Sequence, residues 1–175
     1  VLAQHCEVIG VDVSPQRVAL LNARKSPIGD QDLPDFLAAG DLNLSATTNL
    51  HEALPGSDYV IIATPTNYDE KLNFFDTRSV EDVAAECMQH APEACLVIKS
   101  TIPVGFVDGL RSKLQSQNIF FSPEFLREGS ALYDSLNPSR IIVGDQSEKA
   151  KIFAELLKSA ADSKDPTLLL TGTRE

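Results

Sequence analysis

Residues 58–64 of the chain read DYVIIAT, a nearly continuous apolar run that ends in a hydroxyl side chain. Such a run is typical of a strand that is buried on both faces, as the strands of a parallel sheet are. An apolar stripe at helical spacing follows from Ser79, and a second apolar run occupies residues 96–99. The stripe consists of Val80, Val83, Ala84, Cys87 and Met88. A strand, a helix and a second strand in this order predict a right-handed crossover between parallel strands.

The same alternation continues on both sides of this unit. Upstream, residues 8–13 are mostly apolar, and Ser14 with Pro15 predicts the N-cap and first turn of a helix. Downstream, we expect strands at 119–122, 140–144 and 167–170, a helix with Val107, Leu110 and Leu114 on one face, and a helix over 147–161 that stacks Ile152, Leu156 and Ala160. Strands that alternate with helices predict an α/β fold: one domain with a doubly wound parallel sheet and helices on both faces.

Size and charge narrow the class of partner. The chain has 175 residues, enough for one domain with a proper core, and a formal net charge of -10. Because an acidic surface repels nucleic acids and anionic membranes, we expect a small-molecule partner and neither of these. No apolar run approaches the roughly 20 residues that cross a bilayer, and no segment resembles an export signal. These features predict a cytoplasmic location.

The three cysteines, Cys6, Cys87 and Cys95, predict no chemistry of their own. None has a neighbouring Cys or His at metal-ligand spacing, so we expect no metal site. Cys87 lies on the helical stripe and Cys95 opens the second apolar run. Both are therefore predicted to be small buried side chains.

Ligands of a parallel α/β sheet bind beyond the carboxyl ends of its strands, and four predicted strand ends carry polar residues. Asp12 stands at the first of them. In a dinucleotide fold, an acidic residue at this position accepts hydrogen bonds from the adenosine ribose and repels a 2′-phosphate, which favours NAD over NADP. The alternative is an Asp that helps to cap the following helix.

At two further strand ends, residues with hydroxyl side chains stand next to a proline. Thr66 follows the first apolar run and is a candidate cofactor contact, although the pattern alone favours a local turn. Thr101 follows the second run and precedes a helix that should begin near Gly105, whose free N–H groups would face the same edge. Thr101 is therefore a second candidate contact, whereas a capping role is a reasonable alternative for Ser100.

The fourth strand end is the stretch SPEFLREG at 122–129, which puts Glu124 and Glu128 four residues apart directly after a strand. An exposed, charged helix start would explain these residues without any ligand. Their place at the mouth of the sheet, beside Thr101, favours a role in binding or catalysis.

Four short stretches lie in order along the chain: ATPT at 63–66, KSTIPVG at 99–105, SPEFLREG at 122–129 and NPSRIIVG at 137–144. In order and separation they resemble the signature blocks of the UDP-glucose/GDP-mannose dehydrogenase family. One block would be weak evidence, but four in order are strong, and the resemblance covers almost the whole chain. The wording TNYD at 66–69, with KSTIP at 99–103, is most similar to the bacterial UDP-glucose dehydrogenases of that family.

The resemblance implies a Rossmann-type domain and a reaction that uses two NAD molecules to oxidise the C6 alcohol of UDP-glucose, which yields UDP-glucuronate. It implies that NAD is contacted by Asp12, Arg17, Thr66, Thr101 and Glu128. It also implies a nucleotide-sugar site lined by Glu124, Phe125, Leu126, Arg127 and Glu128. Glu124 would activate water against an enzyme thioester as a general base, and Thr101 would hold the water or the oxyanion.

Parts of the family pattern are expected outside the chain. The glycine-rich cofactor turn would lie before Val1, and the catalytic cysteine, with a lysine and an asparagine on the central helix, after Glu175. We therefore expect a domain that is truncated at both ends and inactive alone, from a full-length protein that is a homodimer. The alternatives are a GDP-mannose or UDP-N-acetylmannosamine dehydrogenase, or a stand-alone nucleotide-binding module.

Overall fold

The structure, a computed structural model, describes residues 1–69, 74–163 and 165–174. Its elements in chain order are a 3-10 turn (Leu2–Gln4), β1 (Val8–Val11), α1 (Pro15–Asn22), α2 (Leu33–Ala39), β2 (Leu44–Thr47), α3 (Leu50–Ala53), β3 (Tyr59–Ile62), β4 (Asn67–Asp69), β5 (Phe74–Asp76), α4 (Arg78–His90), β6 (Cys95–Ile98), α5 (Phe106–Leu114), β7 (Ile119–Phe121), α6 (Ala131–Leu136), β8 (Arg140–Val143), α7 (Glu148–Ser159) and β9 (Thr167–Leu170).

The chain groups into two compact units. The first consists of Val1–Ala53, Phe125–Ile141 and Glu155–Thr167, and the second of Leu54–Glu124, Ile142–Ala154 and Leu168–Glu175. The expectation of a single domain over the whole chain stays a prediction.

In the first unit, β1 and β2 pair in parallel, with Val8 opposite Leu44. The helix predicted after β1 is confirmed as α1. The Ser14 hydroxyl accepts a hydrogen bond from the Arg17 N–H at 3.4 Å, and Pro15 occupies the first turn, where its missing N–H costs nothing.

The elements β2, α2, α3 and α6 of this unit had no counterpart among the predicted ones. The side-chain amide of Asn22, at the end of α1, fastens the helix to β2 because it donates to the Ala46 carbonyl oxygen at 2.9 Å and accepts from the Ala46 N–H at 2.8 Å. A small apolar core of Ala3, Leu37 and Leu42 lies under α2.

In the second unit, β3, β6 and β7 form a parallel sheet with β6 in the middle. All residues of β6 are buried, whereas Ile61 of β3 is 37% exposed. β3 lies at the edge of this sheet. Burial on both faces is therefore confirmed for the run at 96–99 and wrong for the run at 58–64.

The helices of the second unit agree with their predicted positions, and one of them differs in its buried face. α4 buries Val80, Ala84 and Cys87, as expected from the stripe. α7 instead turns Ile152 to solvent, with 53% of this residue exposed, and buries Phe153. The Phe153 ring packs against the rings of Tyr59 and Phe120, with centroids 5.3 and 5.6 Å apart, so the largest side chain sets the orientation of the helix.

Candidate functional site

The loops that follow β3 and β6 are fastened to each other at the carboxyl end of the sheet. The Ser100 hydroxyl donates to the Thr64 carbonyl oxygen at 2.6 Å, and Ser100 is only 8% exposed. The Ser79 hydroxyl, on α4, donates to the Pro65 carbonyl oxygen at 2.9 Å. Ser100 therefore joins two strand ends, and the capping role considered for it is wrong.

Thr66 and Thr101 lie on these two loops. Within the described residues, the hydroxyl of neither threonine has a hydrogen-bond partner, and Thr101 is exposed. No side chain caps α5, which follows Gly105 with a φ of 85°, a conformation that glycine adopts without strain. Ser79 and Ser100 supply the hydrogen bonds that hold the two loops together, so the two threonine hydroxyls are available to a ligand.

Glu124 lies beside a lysine that the sequence analysis did not single out as a site residue. The Lys99 ammonium is 4.0 Å from the Glu124 carboxylate and donates to the Ser122 carbonyl oxygen at 3.3 Å. Burial lowers the pKa of the Lys99 amine, and the negative charge of Glu124 opposes that shift. A lysine placed directly after a buried strand is the signal that would have found it, since a buried ammonium needs an anionic partner.

The segment Phe125–Gly129 belongs to the first unit and precedes α6. α6 begins at Ala131, so the alternative of a charged helix start at Glu124 is wrong. The first turn of α6 is capped by Asp30, whose carboxylate accepts from the Leu132 N–H at 3.2 Å.

Asp30 also holds the end of this segment, and sequence reasoning missed it. The Gln31 N–H donates to the Gly129 carbonyl oxygen at 3.2 Å, and Asp30 forms a bridge with Gly129. Desolvation opposes ionisation of the Asp30 carboxyl, but backbone N–H groups that donate to it outweigh this and lower its pKa. Its partners are the N–H groups of Leu132, Leu33, Asp32 and Ala131.

The predicted substrate-lining side chains differ in how they are engaged. The Arg127 guanidinium pairs with Asp134 at 2.6 Å, and the Arg127 N–H donates to the same carboxylate at 2.8 Å. Arg127 therefore already serves to hold the loop. Phe125 is 61% exposed under the Arg140 guanidinium, which lies 5.0 Å from the ring centroid. Leu126 and Glu128 are also exposed.

Asp12 lies just after β1, and its two carboxylate oxygens contact different groups. One accepts from the Ser14 N–H at 2.8 Å, which supports the start of α1. The other has a longer contact of 3.4 Å with the Arg17 guanidinium, whose side chain is 57% exposed. The capping alternative thus accounts for one oxygen and leaves the second accessible to a ligand.

The cysteines stand apart from these polar groups. Cys87 and Cys95 are buried as predicted, and burial raises the pKa of each thiol to about 11, so both are neutral at pH 7. The described residues contain no cluster of His, Cys, Asp and Glu that could hold a metal ion. Nor does the described part of the chain contain a helix of the length and apolarity that a membrane span needs.

Residues 1–160 match the sequence model of the UDP-glucose/GDP-mannose dehydrogenase family, NAD binding domain. The chain belongs to this family. It is 45% identical to the UDP-glucose 6-dehydrogenase of Campylobacter jejuni over 97% of its own length, and 46% identical to that of Streptococcus pneumoniae over 99%. It spans only 43% and 46% of the length of these two relatives. Because the matched part of the family is its NAD binding domain, NAD is the cofactor of the chain.

Solved structures of the UDP-glucose/GDP-mannose dehydrogenase family have the same fold. A GDP-mannose dehydrogenase from Pseudomonas aeruginosa, solved as a ternary complex, matches 99% of the chain at 26% identity with a TM-score of 0.82. A UDP-glucose dehydrogenase from Pyrobaculum islandicum matches 96% at 30% identity with a TM-score of 0.78. The chain covers 42% and 41% of these two proteins. The predicted α/β, Rossmann-like fold with parallel strands is thereby confirmed.

Proposed function

We propose that the chain is the cofactor-binding part of an NAD-dependent enzyme that oxidises the C6 alcohol of UDP-glucose to the carboxylate of UDP-glucuronate. The observation that carries this proposal is the group of side chains at the carboxyl end of the β3-β6-β7 sheet. There Glu124 has Lys99 beside it, and the hydroxyl of Thr101 has no partner among the described residues. The two UDP-glucose 6-dehydrogenases at 45% and 46% identity support the choice of substrate.

The residues present fit NAD by the chemistry of their polar groups. Asp12 has a carboxylate oxygen accessible to ribose hydroxyls, and the exposed Arg17 lies next to it. Thr66 and Thr101 offer hydroxyls, and Glu128 offers a further exposed carboxylate. When bound, NAD supplies the acceptor for each hydride that leaves C6 of the sugar.

Glu124 acts as the general base in the hydrolysis that follows the hydride steps. Its carboxylate takes a proton from water, the water oxygen bonds to the carbonyl carbon of a cysteine thioester, and the carbon–sulfur bond breaks to release the thiolate. The cysteine is the one that the family resemblance places outside the chain. The Thr101 hydroxyl donates to the attacking water or to the oxyanion that forms.

The sugar nucleotide is held by the loop that carries Glu124 and Glu128. Phe125 and Leu126 offer exposed apolar surface for this purpose. Arg127 contributes through its pair with Asp134, which keeps the loop in one conformation.

The test uses the full-length protein that carries this chain. Incubated with NAD, it should form two NADH for each UDP-glucuronate from UDP-glucose, and turn over GDP-mannose and UDP-N-acetylmannosamine far more slowly. A preference for either of these sugars would reassign the substrate within the family. Binding of NAD without NADH formation from any of the three would identify a nucleotide-binding module and overturn the enzymatic proposal.

The role of Asp12 is tested by the choice of cofactor. Because its carboxylate would repel a 2′-phosphate, kcat/KM with NAD should greatly exceed kcat/KM with NADP. Equal values for the two cofactors would remove Asp12 from the cofactor site. The homodimer and the cytoplasmic location of the full-length protein remain predictions, which gel filtration and cell fractionation can check.

A further inference from the structure

We propose that Lys99 is a positioning residue for Glu124: its ammonium, anchored on the Ser122 carbonyl oxygen, keeps the Glu124 carboxylate in place at the carboxyl end of β7. This inference rests on the proposed function, in which Glu124 activates water. It adds to that function a residue that acts on the base without contact to the reacting atoms.

The anchor for the ammonium is rigid. Ser122 is 1% exposed, its N–H donates to the Ile98 carbonyl oxygen at 2.9 Å, and its hydroxyl donates to the Ile142 carbonyl oxygen at 3.0 Å. On the other strand, the Lys99 N–H donates to the Ile62 carbonyl oxygen at 2.8 Å. Both the lysine backbone and the carbonyl that receives its ammonium are therefore fixed by the sheet.

The Lys99 ammonium requires a negatively charged partner. The Lys99 side chain is 15% exposed, so water solvates it poorly, and the Ser122 carbonyl accepts only one of its three N–H groups. A poorly solvated charge is stable only when it is paired. The Glu124 carboxylate, 4.0 Å away, is the partner that the structure supplies.

Glu124 gains from the same pair. Glu124 lies in the loop after β7, and its side chain is 45% exposed. Without a partner, this side chain would sample several rotamers. A general base must stay within hydrogen-bond reach of the water that it activates. The fixed ammonium restricts the carboxylate to rotamers that keep it close to Lys99, which follows β6 two residues before Thr101.

The first test reads the pair itself and needs no turnover. In the full-length protein with 13Cε-labelled lysine, the Lys99 signal is assigned by its loss in Lys99→Arg. In Glu124→Gln the Lys99 pKa should fall below its wild-type value, because the charge that opposes the effect of burial is gone. Glu93→Gln is the matched control: this exposed Glu precedes β6 at the amino end of the sheet and should leave the Lys99 pKa unchanged. An equal Lys99 pKa in the wild type and Glu124→Gln would overturn the pair.

The second test reads the effect on the reaction. Lys99→Met keeps most of the stem and removes the charge, so hydrolysis should slow by roughly 10- to 100-fold, the cost of a misplaced catalytic group. The thioester should accumulate in mass spectra, while the first hydride transfer, measured in a single turnover, changes less than twofold. Lys99→Arg should restore part of the hydrolysis rate, as a purely steric role for the stem would not.

The possible outcomes distinguish the role of Lys99 from the proposed function on which it rests. A wild-type protein that forms no NADH from UDP-glucose overturns the proposed function. An active wild type with Lys99→Met equally fast in hydrolysis overturns the role of Lys99 alone. Should Lys99→Met fail to fold, shown by thermal unfolding, the Lys99 pKa in Glu124→Gln still decides whether the pair exists.

Discussion

The two ends of the β3-β6-β7 sheet differ in how their polar side chains are bonded. At the amino end lies a groove of about 690 Å³, which we call the amino-end groove. It is lined by Gly56, Ser57, Asp58, Tyr59, His90, Ala91, Pro92, Glu93, Ala94, Lys149 and Ile152. Two of its long polar side chains already bond to backbone: the Tyr59 hydroxyl donates to the Lys149 carbonyl oxygen at 2.9 Å, and the Lys149 ammonium to the Glu93 carbonyl oxygen at 3.0 Å.

The carboxyl end has polar groups that can still form hydrogen bonds. Glu124 is 45% exposed, and the hydroxyls of Thr66 and Thr101 have no partner in the part of the chain that the structure describes. Hydrogen bonds at the amino end therefore stabilise the fold. At the carboxyl end Ser79, Ser100 and Lys99 are bonded in the same way, and the hydroxyls of Thr66 and Thr101 stay open to the ligand that we propose. A groove at the amino end does not by itself mark a ligand site, whereas unused hydrogen-bonding capacity points to the opposite end of the same strands.

The strongest test of this difference compares one carboxylate at each end of the sheet. In the full-length protein, Glu124→Gln keeps the shape of the side chain and removes the proton acceptor. We expect roughly a 10²- to 10⁴-fold loss in steady-state NADH formation, with the covalent thioester visible by mass spectrometry. Glu93→Gln at the amino end should change the rate less than twofold. Similar rates for the two variants would show that Glu124 is not the base.

A second comparison concerns the exposed hydroxyl of Thr101. Thr101→Val removes the donor without changing the shape of the side chain, so we expect roughly a 10²-fold loss in kcat, as for a single oxyanion donor. Because the hydroxyl has no partner within the described residues, the free energy of unfolding should change by less than about 0.5 kcal/mol. Urea unfolding and steady-state kinetics on the same preparation check both. A large loss of stability with normal kcat would make Thr101 structural.

The neighbouring Ser100 should behave in the opposite way. Ser100→Ala leaves the partly buried Thr64 carbonyl oxygen without the hydroxyl that donates to it at 2.6 Å. An unsatisfied buried acceptor costs about 1–3 kcal/mol, so the denaturant midpoint should fall accordingly. If stability is unchanged, the two loops are not held together by this bond.

The smallest effect is expected from Tyr59→Phe in the amino-end groove. The substitution removes the hydrogen bond to the Lys149 carbonyl oxygen and keeps the ring that packs on Phe153. We expect a loss of about 0.5–1.5 kcal/mol in unfolding free energy, with kcat and KM for UDP-glucose unchanged. A clear rise in KM would mean that the groove takes part in binding and that the contrast between the ends is incomplete.

The sequence by itself determined the elements whose signals are local. Ser14 and Pro15 predicted the start of α1, the apolar runs predicted β3, β6 and β7, and the stripe predicted the buried face of α4. These signals work because capping and side-chain periodicity depend on backbone geometry within a few residues. The family motifs named Thr66, Thr101 and Glu124, each of which lies within four residues of a strand end, and their roles stay predictions.

Tertiary structure decided which surfaces are covered and which distant groups meet. β3 has the composition of a central strand and lies at the edge of its sheet, and α7 buries Phe153 in place of the predicted Ile152. Lys99 finds Glu124 only because two parallel strands end side by side. Asp30 caps a helix that begins about a hundred residues later, at Ala131. No local pattern encodes such pairs, since they depend on register and packing between segments far apart in the chain.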